Sequence, residues 1–184
     1  MLYKKDKLSL LKEVSIIDNL SNVKKSIDNI SFVSYLVDLA CQVYKECQDK
    51  DIYNILISGI LKINENYDPL VITNIIELKY LEYLGVLPVI DKCAVCSRQD
   101  NIVTLSSDYG GYLCSKCHTN EPLISDKSIK LIRMYYYVDI NKIEKLEIKN
   151  QYKFEVNNFL NLYYERYTGI YLKSKSFLNS IMNY

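Results

Sequence analysis

The chain has 184 residues, 49% of them apolar and 24% charged, a balance that builds one globular domain, or one with a small appendage, and excludes a disordered chain. Lys plus Arg is 23 against 22 for Asp plus Glu, which excludes a protein held on nucleic acid by bulk charge alone. No run reaches the ~18 apolar residues that span a bilayer, and Met1–Lys7 leads into no apolar core of a secretory signal.

In chain order, Leu8, Leu10, Val14 and Ile16 are evenly spaced, so Leu2 to Ile17 reads as a strand or hairpin remnant, the end of something that begins earlier. Ser21 is expected to cap a long helix whose apolar face is Val23, Ile27, Ile30, Val33, Val37, Ala40 and Tyr44. Residues 52–63 are apolar on most sides and predict a central buried helix after Asp51. Asp68-Pro69 sets a cap before a proline at the first helical position. The next helix runs through Val71, Ile72, Ile75, Leu78, Leu81 and Leu84 to a stop at Gly85.

From Leu87 to Pro122 helical periodicity vanishes, and 102–105 and 110–113 predict two short strands. Ser125 caps a helix through Ile129, Ile132 and Tyr136. A loop, 139–148, precedes a last helix carrying Phe154, Phe159, Leu160, Tyr163 and Tyr167, which ends at Thr168-Gly169. The fold class expected is mainly α, a helical bundle-like body with an inserted hairpin.

Six cysteines in a chain expected in a reducing cytoplasm point to metal or chemistry before disulfides. Cys93, Cys96, Cys114 and Cys117 form two CxxC units separated by 17 residues. Each unit can grip one ion from adjacent corners of a tetrahedron, and a hairpin between them brings the pairs together. The spacing is that of a four-cysteine zinc ribbon, with one structural Zn2+ as the expected cofactor. Two adjacent redox motifs without βαβ surroundings are a poor alternative. Four thiolates close the coordination shell, and His118, the single histidine, is expected to be a solvated residue just past the second knuckle. Four thiolates and one Zn2+ would shift the formal charge of +1 by about −2. Cys41 and Cys47 lie on different faces of one helix and read as core or incidental thiols.

The run Ile76-Glu77-Leu78-Lys79-Tyr80-Leu81-Glu82-Tyr83-Leu84-Gly85-Val86-Leu87-Pro88 followed by the Cys93–Cys96 knuckle resembles the bacterial recombination mediator family RecO. So do the Tyr109–Cys114 approach to the second knuckle and the closing segments 163–166 and 172–178. The resemblance implies that 1–18 is a remnant of an N-terminal OB-fold barrel and 19–184 the helical C-terminal domain, with a zinc-binding insert at 88–122. It further implies a non-enzymatic helper of DNA repair and homologous recombination in the bacterial cytoplasm, near the nucleoid. Such a helper binds single- and double-stranded DNA, anneals strands, pairs with RecR and engages the acidic tail of single-strand-binding protein to assist recombinase loading. No membrane and no small-molecule substrate is expected.

From the residues themselves, Arg166, Lys173 and Lys175 among Tyr163, Tyr167, Tyr171 and Phe177 make an acid-free ending that could hold phosphates or an acidic peptide. The plainer reading is a solvated helix end with its tyrosines turned inward. An enzyme finds little support: there is no nucleophile–base pair, no Gly-rich phosphate loop and no carboxylate cluster beside the knuckles, where Asp91 and Asp108 read as turn residues. The rival is a zinc-ribbon protein–protein adaptor with no DNA role of its own.

Overall fold

A computed structural model describes Leu10, residues 13–144 and residues 147–182. Among these, seven α-helices and one hairpin follow the order α1 (Ser21–Lys24), α2 (Ile27–Glu46), α3 (Lys50–Asn64), α4 (Pro69–Tyr83), β1 (Ile102–Ser106), β2 (Gly111–Cys114), α5 (Asp126–Tyr137), α6 (Asn150–Tyr167) and α7 (Lys173–Ile181). A single 3-10 turn, Ile140–Lys142, breaks the 139–148 loop. The class is the mainly α body with an inserted hairpin that the sequence predicts.

The central helix is α4, not α3. Eleven of the 15 residues of α4 are buried, including Thr73, Asn74 and Glu77, so the helix is enclosed nearly all round, with α2, α3, α5 and α6 packed about it. Its ends are as expected. The Asp68 carboxylate accepts from the N–H groups of Leu70 and Val71 at 2.9 and 3.2 Å, and Pro69 occupies the first turn. At the other end Gly85 has φ +71, and the N–H groups of Gly85 and Val86 return to the carbonyls of Glu82 and Leu81. That paired closure is the Schellman motif. By contrast, α3 starts two residues earlier than predicted, capped by Asp49, and leaves Tyr53 and Leu61 in solvent. Its apolar surplus is surface, not core.

Two expectations for the first helix are corrected. Ser21 does not cap a long helix: the chain makes the short α1, breaks at Lys25, and restarts with Ser26 accepting from the Asn29 N–H at 3.3 Å. The break survives because the free N–H groups of Asn22 and Val23 donate to the Asn64 side chain at the end of α3, 3.0 and 3.3 Å away. A tertiary cap thus replaces a local one. The buried face of α2 is also rotated, to Phe32, Tyr35, Leu36, Leu39, Ala40 and Val43, while Ile27, Ile30, Val37 and Tyr44 are exposed. The helix carries two apolar stripes, and the buried one includes Tyr35, whose hydroxyl reaches Glu77 of α4.

Of the extended opening, residues 1–9, 11 and 12 lie outside the described residues. Residues 13–17 form no strand, and Val14, Ile16 and Ile17 are exposed. At the other end α7, absent from the sequence reading, packs on α2 through Leu178. No described helix is long and apolar enough to cross a membrane.

Candidate metal centre and basic surface

The hairpin builds the site from two directions. β1 and β2 pair antiparallel with Thr104 opposite Leu113 and Ser106 opposite Gly111, and an irregularity follows Ile102, which faces Cys114. On the far side of Gly111 the backbone of Val89 docks, accepting from the Tyr112 N–H at 2.8 Å and donating to the Gly110 carbonyl at 2.9 Å. A Cβ on Gly111 would lie 2.2 Å from the Val89 oxygen, so only glycine lets the first knuckle's approach strand lie this close.

Each CxxC unit then turns on itself. The Ser97 N–H donates to the Cys93 carbonyl and the Cys93 N–H to the Arg98 carbonyl, while the N–H groups of Cys117 and His118 converge on the Cys114 carbonyl. Cross-links hold the two knuckles in register: Ala94 N–H to the Tyr112 carbonyl at 2.8 Å and Ser115 N–H to the Asn101 carbonyl at 2.9 Å. The result is a set of four sulfurs, from Cys93, Cys96, Cys114 and Cys117, all within 4.8 Å of one another, with Cys96 and Cys114 at 3.6 Å. A tetrahedron of sulfurs ~2.3 Å from a central ion has edges of ~3.8 Å. The thiols are therefore at metal-binding separation, and Cys93 and Cys114 are fully buried with Leu113 as a small core of their own.

Their acidity fits the same use. Burial pushes the Cys93 thiol up, but the backbone N–H groups of Cys96, Cys114 and Val95 outweigh it and bring it down to about 6. At Cys114 burial is again overcome, by the N–H groups of Cys117 and Lys116, and its acidity rises. The sulfurs of Cys96, Cys114 and Cys93, together with burial, hold Cys117 up at about 12. Thiols that ionise easily while resisting a full set of charges are the donor set a cation completes. His118 is not among them: its Nε2 lies 2.7 Å from the Glu121 carbonyl, half-buried and engaged, not solvated as expected.

The three cations expected to bind phosphate or an acidic peptide have separate fates. Arg166 pairs with Asp108, the turn residue of the hairpin. Lys175 is turned inward, 2.7 Å from Oε1 of Glu77 and over the Tyr35 ring at 4.6 Å. It lines a cavity of about 370 Å³ with Tyr164, Tyr171 and Leu172. Lys173, at the start of α7, is exposed and among the described residues makes no ion pair, whereas Arg166 is exposed but paired. The ending has no acid in sequence, yet the fold brings two carboxylates to it. Sequence reasoning passed over Lys127, Lys130 and Arg133, which share the exposed side of α5. Their spacing of three on a capped helix was the available signal. Of the two other cysteines, Cys41 is exposed and Cys47 half-buried.

Fold and site together define a helical protein that carries a thiol-clamped hairpin between its fourth and fifth helices. The family model described as "Recombination protein O C terminal" matches residues 24–176, and the chain belongs to that family. Similar proteins include the DNA repair protein RecO of Listeria monocytogenes serotype 4b, 28% identical over 95% of this chain and 70% of that protein. That of Bacillus subtilis is 27% identical over 98% and 72%, and that of Halalkalibacterium halodurans 30% over 98% and 73%. The family carries a role in DNA repair and recombination.

Proposed function

We propose that the chain is a non-enzymatic recombination mediator of the bacterial cytoplasm that binds DNA and assists strand annealing and recombinase loading, with RecR and single-strand-binding protein as partners. The observation that carries this reading is the family match, which runs through the helical body and both knuckles as one stretch. Zn2+ is the ion that suits a closed set of four thiolates, held by Cys93, Cys96, Cys114 and Cys117. Its contribution there is structural: it fixes the hairpin against the body and offers no open position for a substrate. Protein purified without added zinc should carry about one ion per chain. Cys114→Ser should lose it and loosen 88–122, read as faster amide exchange there, while helical circular dichroism persists because Leu113 and the cysteines form a core apart from the helices.

The adaptor reading gains from one observation, the pairing of Arg166 and Lys175 with carboxylates of the body, which leaves Lys173 as the exposed cation of that ending without an ion pair among the described residues. An acidic tail peptide would use Lys173 beside the cavity at Leu172. Titrating a labelled single-stranded oligonucleotide and a labelled acidic tail peptide, each in low and moderate salt, separates the readings. A mediator binds the oligonucleotide with an affinity that falls as salt rises. Peptide binding with no oligonucleotide binding at any salt would leave the adaptor.

A further inference from the structure

Helix α5 presents a solvent face whose cations make no ion pair among the described residues. Ser125 caps the helix, and Leu131, Ile132 and Tyr135 bury the opposite side. Lys127, Lys130 and Arg133 stand three residues apart and exposed, with Met134 and Tyr137 beside them. At 1.5 Å per residue these cations form a row of about 9 Å along the axis. Among the described residues no ion pair engages any of the three, in contrast to Arg166, Lys175 and Lys153. The helix contributes one carboxylate of its own, Asp126 in its first turn. The nearby Glu155 is already occupied by the Ser125 N–H and the Gln151 amide.

Aromatic rings flank the row. Lys127 sits 5.5 Å from the Tyr152 ring and Arg133 5.9 Å from the Tyr137 ring. Tyr137 is 65% exposed and braced edge-on by Tyr136 at 5.0 Å. A row of cations without ion pairs leading to a braced, exposed ring matches a strand whose phosphates need cations and whose unpaired bases need a stacking partner. The hairpin buttresses the helix, since the Tyr112 hydroxyl donates to the Ile129 carbonyl.

We propose that this face of α5 is a contact surface for single-stranded nucleic acid, with Lys127, Lys130 and Arg133 on phosphates and Tyr137 under a base. The proposal rests on the DNA-binding reading above and assigns it to residues outside the chain's final segment.

The test is binding of a labelled oligo-dT and of a duplex of equal length to the full chain across a salt series. Lys127→Glu/Lys130→Glu/Arg133→Glu should weaken oligo-dT binding tenfold or more and flatten the log–log salt slope by about 2, the value for three phosphate contacts on a single strand. Tyr137→Ala should weaken it about fivefold or more with the slope unchanged. A matched control, Lys24→Glu/Lys25→Glu/Lys45→Glu, alters the same charge on exposed residues of α1, the α1–α2 break and α2 and should have a much smaller effect. Circular dichroism should be the same for all four proteins. Equal weakening by the two triple variants, or none by the α5 triple, overturns the assignment while the DNA-binding reading stands. Duplex bound as tightly as oligo-dT, with Tyr137→Ala silent, overturns the single-strand part. Failure of the unmodified chain to bind oligo-dT at any salt removes both.

Discussion

Glu77 is the residue on which the interior turns. It is fully buried in α4, and its Oε1 accepts from the Tyr35 hydroxyl at 2.5 Å and from Lys175 at 2.7 Å. Three elements, α2, α4 and α7, thereby meet at one oxygen. Two buried charges are costly to desolvate, so the pair gives position more than stability. Removing one partner strands the other. Glu77→Ala should therefore cost about 3–5 kcal/mol in urea unfolding, whereas Glu77→Leu/Lys175→Met/Tyr35→Phe, which also removes the hydroxyl that would lose its acceptor, should fall within about 1 kcal/mol of the parent or exceed it. A triple variant as unstable as the single one would mean the charged network is itself a net source of stability. This network was illegible in the sequence because its partners lie 98 residues apart, and Glu77 sits in a run that reads as an ordinary amphipathic helix. The metal centre was legible for the opposite reason. Thiols two residues apart already dictate a shared turn, and only the hairpin between the pairs had to be inferred.

Among the elements, two glycines separate backbone freedom from close approach. Gly85 needs its left-handed φ to close α4, but a Cβ there would meet nothing within 4 Å, so Gly85→Ala should cost only the conformational term, about 1–2 kcal/mol. At Gly111 a Cβ would press on the Val89 backbone, and backbone cannot step aside as a side-chain tip can. Gly111→Ala should cost more, and it should lower metal content as well, because the Val89 pairing steers the first knuckle. Thermal melts with metal analysis check both; equal losses without metal loss at Gly111 would contradict the role of the close approach. Local chemistry made the caps at Asp68, Gly85 and Ser125 readable, since each is satisfied within four residues. The faces were less so. α2 has apolar residues on two sides, and periodicity alone cannot say which one meets α4. α7 has no side-chain cap, so nothing announces its start.

For the molecule as a whole, tyrosine fills the place that a larger aromatic would take in a chain with 18 Tyr and no Trp. Buried phenols tie elements together: Tyr80 donates to the Ile52 carbonyl at 2.8 Å, Tyr164 to the Glu77 carbonyl at 2.8 Å, and Tyr112 to the Ile129 carbonyl of α5. Burial raises the pKa of Tyr35, Tyr80, Tyr112, Tyr135 and Tyr164, and the charge of Glu77 raises Tyr35 and Tyr164 further. Burial holds Tyr163 up at about 12. In the unfolded chain all of them ionise near pH 10. The unfolded state therefore releases protons that the folded state keeps, and stability is fully present below about pH 10 and falls as pH rises toward the folded values. Each buried phenol that stays protonated in the folded chain favours unfolding by about 1.4 kcal/mol for each pH unit above 10, so a few such groups rival the whole stability of a typical domain. In an alkaline titration the buried set, Tyr35, Tyr80, Tyr112, Tyr135 and Tyr164, should therefore ionise in one cooperative step that coincides with loss of helical circular dichroism. A single smooth phenolate curve, complete before the helices melt, would show that the buried phenols ionise in place and do not hold the elements together.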